Sequence, residues 1–186
     1  MTLWSHQTDG IEFLRGRKGR AILGHDMGTG KTLTTLTYLA EHVEFDSLIL
    51  VVCPLSVVDV WPDQVVKHGF RFATFVVPHT PGTTADKACV LTRRLDLHRI
   101  NGDAPLMVII NYESAWRSKL ADVIQGQKWA AVICDESHRI KSPFGRASRF
   151  MARTWTWEVP IRLCLTGTPM PHGPLDIWAQ ARFADP

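Results

Sequence analysis

Gly24-His25-Asp26-Met27-Gly28-Thr29-Gly30-Lys31-Thr32 is the stretch that decides how this chain folds. A short apolar run, Ala21-Ile22-Leu23, leads into it, and a leucine-rich segment, Leu33 to Ala40, leads out. The order is strand, glycine-rich turn, helix start. Such a turn binds phosphate for a physical reason. Glycines let backbone N–H groups crowd round an anion, and the helix N-terminus adds a favourable dipole. Met27, Gly28, Thr29 and Gly30 would cradle the phosphates of a nucleotide. The Lys31 ammonium would reach the β- and γ-phosphates, and the Thr32 hydroxyl would hold Mg²⁺. The usual G-x-x-x-x-G-K-[ST] spacing puts its first glycine at position 25, where His25 stands; Gly24 is one place early. A plain glycine-rich connection is the bland alternative.

Working outward, apolar runs recur with segments of helical length between them. Leu48 to Cys53 ends in Pro54, Phe72 to Val77 in Pro78, and Leu106 to Ile110 in Asn111. Ala130 to Cys134 ends in Asp135, and Arg162 to Leu165 in Thr166. These runs are rich in Val and Ile and do not alternate with polar residues, as in strands buried on both faces. Helices are expected at 5–16, with Ser5 as N-cap, and at 30–42. Further helices are expected near 55–68, 84–100, 113–124, 144–153 and 174–184. The fold class is therefore α/β, one doubly wound, mostly parallel sheet with helices on both faces. Binding residues should gather at the C-terminal ends of the strands. Residues 78–86 read as the mobile loop.

The totals agree. The chain has 186 residues, enough for one domain with a real core. Hydrophobic residues make up 45% and charged residues 21%, a folded composition rather than a disordered one. A net charge of +3 permits a local basic surface without arguing for one. Cys53, Cys89, Cys134 and Cys164 form no C-x-x-C pair, so no zinc or thioredoxin-like motif is signalled. Three of them sit in apolar runs, which fits a reducing, intracellular setting. No signal-peptide pattern opens the chain, and no apolar run approaches a membrane span.

Asp135-Glu136-Ser137-His138 stands at the end of its apolar strand. Asp135 would hold Mg²⁺, directly or through water, and Glu136 would position and deprotonate the water that attacks the γ-phosphate. An acidic helix N-terminus is the alternative for these two residues taken alone. The next strand ends in Leu165-Thr166-Gly167-Thr168-Pro169, a turn that can also bring Thr166 and Thr168 to Glu136 or His138.

Together these features resemble the first RecA-like lobe of superfamily II helicases and translocases, and most of all its Swi/Snf-like branch. Trp4-Ser5-His6-Gln7-Thr8-Asp9-Gly10 is similar to the opening HQ-x-x-G segment, in which the glutamine recognises adenine. Asp26 to Thr32 resembles motif I, and Val52-Cys53-Pro54-Leu55-Ser56, with Trp61 after it, motif Ia. Asn111-Tyr112-Glu113 resembles motif Ib, Asp135 to Ser142 the DE-x-H (DEAH-type) box, and Leu165 to Pro169 motif III. The tail, Leu175 to Pro186, is similar to the segment after motif III in this branch.

The resemblance implies ATP and Mg²⁺ as cofactors and double-stranded DNA as partner, over one ATP-binding domain at 1–186. It implies that Lys31, Asp135, Glu136 and His138 carry the catalysis, and that Thr166 and Thr168 couple His138 to the nucleic-acid path. Pro54, Leu55 and Ser56, and the loop at Asn111–Tyr112, would lie against the nucleic-acid backbone. Arg139 and Lys141 fall on the same side, or on a solvated basic turn. The seven tryptophans read as core or surface aromatics more readily than as base-stacking platforms. Members of the branch carry a second RecA-like lobe with arginines that reach the γ-phosphate; nothing here replaces it. A weak ATPase needing a second lobe, in cis or in trans, is therefore expected. A non-hydrolysing regulatory module and an RNA helicase lobe are the alternatives. Compactness points to a bacterial cell or a virus-infected one.

Overall fold

In the computed structural model, residues 2–142, 144–154 and 159–185 are described, with side chains of 153 and 154 left aside. Six strands form one sheet: β1 (Arg20–Leu23), β2 (Leu48–Cys53), β3 (Ala73–Val76), β4 (Leu106–Asn111), β5 (Ala131–Asp135) and β6 (Ile161–Leu165). The order is β1-β6-β5-β2-β4-β3, and every pairing is parallel. Each strand falls within a residue or two of its expected place. The reason is composition: β2, β4, β5 and β6 are buried along their whole length and are apolar on both faces except at Asn111, Asp135 and Arg162.

The two faces are covered by different helices. Alternate residues of β2 show the split, Ile49, Val51 and Cys53 facing one core, Leu48, Leu50 and Val52 the other. The first core is closed by α1 (Ser5–Gly16), α2 (Lys31–His42) and α3 (Val60–His68). The second is closed by α4 (Thr84–Asn101), α5 (Tyr112–Ala115), α6 (Ser118–Gln125), α7 (Arg146–Thr154) and α8 (Trp178–Ala184). Cys53, Cys134 and Cys164 are buried in these cores and Cys89 is exposed; all are free thiols.

Several helix boundaries differ from expectation, each for a local reason. Trp4, not Ser5, is the N-cap of α1; the Gln7 carboxamide oxygen accepts its backbone N–H at 3.0 Å. Residues 55–57 and 174–177 wind as tight 3-10 turns before α3 and α8 begin. The single helix expected near 113–124 is two, α5 and α6, broken at Trp116–Arg117. The helix expected near 84–100 starts where expected, as α4, so the loop read at 78–86 ends at Thr83, which caps α4 reciprocally with Asp86. Of the tryptophans, Trp61 and Trp129 are core residues, whereas Trp116 and Trp178 lie under arginines. Trp155, Trp157 and Pro186 lie outside the described residues.

Candidate active site

Parallel strands point their C-terminal ends to one edge of the sheet, and the three chemistry-bearing turns all emerge there. The phosphate loop leaves β1, the acidic turn leaves β5, and Thr166 to Pro169 leaves β6, which lies between them. The Thr166 N–H donates to the Leu23 carbonyl at 3.3 Å, tying the β6 exit to the β1 exit.

Gly28 and Gly30 take φ of 78° and 82°, the left-handed region that a turn of this kind needs. Gly30 also has no room for a side chain, since a Cβ there would come within 2.3 Å of Gln7 Nε2. Lys31, the first residue of α2, is buried, and its ammonium donates to the carbonyls of His25 and Asp26 at 2.8 and 2.9 Å. The Thr29 hydroxyl donates to the Asp26 carbonyl at 2.8 Å. Gln7 closes the loop from outside. Its amide donates to the Thr29 carbonyl at 3.2 Å while its oxygen caps α1. His6, which the sequence offers only as part of a motif, reaches the same carbonyl at 2.9 Å. This docking of α1 depends on Gly10, where a Cβ would sit 3.1 Å from the Thr34 methyl and 3.2 Å from the His25 ring. His25 has a buried, unpartnered Nδ1, and burial pushes its pKa down, helped by His6 and Lys31.

Across the cleft, Asp135 is buried. Its Oδ2 accepts the indole N–H of Trp61 at 3.0 Å and its Oδ1 the Glu136 N–H at 2.9 Å. Burial raises its pKa, opposed by the Trp61 hydrogen bond and reinforced by the Glu136 charge. Glu136 adopts φ 50°, ψ 51°, a left-handed conformation uncommon for a residue with a Cβ. Its Oε2 is buried without a hydrogen bond, 3.3 Å from His138 Nδ1. The same Nδ1 lies 3.4 Å from the Thr166 hydroxyl oxygen, which accepts the Thr168 N–H at 3.1 Å. Thr166 therefore reaches His138, as expected, and Thr168 is linked through it.

Met27, Gly28, Gly30, Lys31 and Thr32 line one side of a cleft of about 390 Å³, and Asp135 and Glu136 the other. An ammonium and two carboxylates facing across a glycine turn fit a nucleotide triphosphate with its divalent cation. The buried Glu136 Oε2 is an acceptor without a hydrogen bond, beside His138.

The remaining predicted residues lie further along the same edge. Pro54 is buried, while Leu55 and Ser56 are exposed on their turn. Asn111 is buried and donates to Glu113 at 2.9 Å; Arg139 lies 3.8 Å from the same carboxylate. The Tyr112 side chain does not reach the surface. It is buried, and its hydroxyl donates to the Asp135 carbonyl at 2.8 Å, so no backbone phosphate can meet it. Two supporting residues carried no signal of their role. Trp61 read only as a family tryptophan. Gln180 sits fully buried on α8, accepting from the Ser137 hydroxyl at 2.6 Å and donating to the Pro169 and Asp176 carbonyls. An alanine at 137, as in a DEAH box, would leave that glutamine oxygen without this donor.

The family model for the SNF2-related domain matches residues 6–186. The chain belongs to the SNF2-related family. Among relatives of this SNF2-related domain, the mouse "DNA excision repair protein ERCC-6-like" is 31% identical over 98% of the chain and 14% of that protein. The yeast "ISWI chromatin-remodeling complex ATPase ISW2" (Saccharomyces cerevisiae) is 28% identical over 99% of the chain and 16% of that protein. Among solved structures, the "Sulfolobus solfataricus SWI2/SNF2 ATPase core in complex with dsDNA" superposes with a TM-score of 0.74 at 25% identity. That match covers 98% of the chain and 36% of the other. The SNF2-related domain thus spans only a small share of the length of the relatives it matches.

Proposed function

We propose that this chain is the first, ATP-binding lobe of a DNA-dependent ATPase of the SNF2 type, which turns over when joined to a second lobe. The observation that carries the reading is the shared cleft, in which Lys31 and Thr32 face Asp135 and Glu136. Relatives named as ATPases and a related ATPase core solved with double-stranded DNA support the substrate and the partner.

The Lys31 ammonium, already held at the loop mouth by two carbonyls, meets the β- and γ-phosphates. Gly28, Thr29 and Gly30 offer backbone N–H groups to the same oxygens. Thr32 and Asp135 would hold Mg²⁺, which neutralises the phosphate oxygens in an in-line displacement. Glu136, which lines the cleft, accepts the proton of the attacking water. His138, between Glu136 and Thr166, passes the state of that carboxylate to the β6 exit. Gln7, lying against Gly30 from α1, would recognise the adenine. On the nucleic-acid side the exposed Leu55–Ser56 turn and the backbone N–H groups opening α5 make sequence-independent contacts. Relatives named as chromatin-remodelling ATPases favour a chromatin-bearing compartment over the bacterial or virus-infected cell expected from compactness.

The test is ATP hydrolysis by the chain joined to an SNF2 second lobe, with and without duplex DNA and with RNA as competitor. Stimulation by duplex DNA is expected. Turnover indifferent to every nucleic acid would sink the reading, and preferential stimulation by RNA would redirect it.

A further inference from the structure

Three hydrogen bonds converge on Asp135. The indole of Trp61 donates to Oδ2 at 3.0 Å, and the Glu136 N–H donates to Oδ1 at 2.9 Å. The Tyr112 hydroxyl donates to the main-chain carbonyl of the same residue at 2.8 Å. Of these donors only Trp61 comes from the opposite face of the sheet, on α3, and it acts on the side chain itself.

Trp61 is the largest fully buried side chain among the described residues. An indole has one N–H to give, and a fully enclosed indole cannot turn to give it elsewhere. An enclosed indole could satisfy its donor with a main-chain carbonyl, as Trp129 does on Ile124 at 2.8 Å. Trp61 instead spends it on a carboxylate oxygen at the rim of the nucleotide cleft. Neutral donation to a carboxylate is directional, and it leaves the second lone pair of that oxygen, and one on Oδ1, free for the cleft. The pair also limits χ1 and χ2 of Asp135 without bringing in a competing cation.

We infer that Trp61 is a positioning residue for the divalent-cation site: its indole N–H fixes the Asp135 carboxylate in the rotamer that faces the phosphate loop. The inference rests on the proposed ATP site. A packing-only role for Trp61 predicts a different result from the same measurement, because packing does not distinguish binding with and without the cation.

Trp61→Phe keeps a planar ring in the core and removes the donor. ATP binding to the full chain is titrated by calorimetry in EDTA and over a range of Mg²⁺ concentrations. In EDTA the variant should bind ATP within about twofold of the wild type, while the Mg²⁺ needed for half-maximal enhancement rises about tenfold or more, as for other outer partners of metal ligands. Asp135→Asn sets the ceiling, and Trp61→Phe on that background should add no further loss of Mg²⁺ dependence. Equal weakening with and without Mg²⁺, or an unchanged Mg²⁺ requirement, would overturn the inference. Should Trp61→Phe fail to fold, the benzothiophene analogue of tryptophan placed at 61 has the same shape without the donor and must give the same Mg²⁺ shift. A wild-type chain that binds no ATP under either condition would remove the nucleotide reading and this one together, whereas a wild-type Mg²⁺ response left intact in the variant removes only this one.

Discussion

In the phosphate loop the Lys31 ammonium is shared by two carbonyls, the Thr29 hydroxyl is bonded, and Gln7 is bonded at both ends of its carboxamide. In the acidic turn across the cleft, Glu136 has a left-handed backbone and a buried oxygen without a donor, beside a carboxyl whose pKa burial has raised. Each side has one buried atom without a partner, His25 Nδ1 in the loop and Glu136 Oε2 in the turn, but only the turn puts a residue with a Cβ in the left-handed region. Around the cleft, backbone strain falls on Glu136, whereas the left-handed residues of the phosphate loop are glycines, which adopt that conformation without strain.

That contrast is open to direct attack. Its strongest test is Glu136→Gln. ATP binding should stay near wild type, while single-turnover hydrolysis in the two-lobed enzyme falls by about 10²- to 10⁴-fold, the usual worth of a general base. A parallel loss of binding would erase the distinction between the two sides. Next is Lys31→Ala, which removes charge-assisted bonds worth about 1.5–3 kcal/mol each. Calorimetry should show ATP affinity down about 100-fold or more.

Gly30→Ala tests the loop side for stability. The new Cβ would meet Gln7 Nε2 and sit at φ 82°, so urea unfolding should show a loss of about 1–3 kcal/mol. Glu136→Gly tests the strained side in the opposite sense. Relief of the left-handed backbone should raise stability by about 1 kcal/mol, with hydrolysis abolished. If both glycine-related changes destabilise, the strain does not reside in the Glu136 backbone.

The smallest effect concerns pH. His25 titrates below its ordinary 6.5 because burial, then His6 and Lys31, disfavour its charged form. The unfolded chain therefore binds the extra proton first. Stability from this group is complete above pH 6.5 and declines as pH falls through and below that value. His25→Gln should flatten that part of a thermal-melting profile against pH.

Much of this was legible in the sequence, and the exceptions have a common cause. Strands buried on both faces announce themselves in runs such as Leu48–Cys53, and the glycine turn after β1 fixes the start of α2 behind it. The acidic pair, Thr166 and the phosphate loop meet because parallel strands deliver their ends to one edge. The features that stayed hidden depend on partners distant in the chain. The resemblance of its segment to motif Ib places Tyr112 at the nucleic-acid surface; its hydroxyl in fact bonds the Asp135 carbonyl. Trp61 and Gln180 gave no periodic signal, since a buried donor is explained only by the acceptor it finds. The slips at helix ends, Trp4 for Ser5 above all, reflect capping by a side chain three residues on.

The placement of β6 carries one more consequence, for the order in which the protein becomes itself. Among the described residues, 20–23 pair in the sheet only with 162–165. During synthesis the strand that carries the phosphate loop emerges early and must wait for nearly the whole chain before its one neighbour exists. Pairing across such a separation is slow to close and leaves an unpaired edge exposed meanwhile. The nucleotide cleft is therefore among the last features to form. A nascent chain halted before residue 161 would have its binding motif fully translated and no site to show for it.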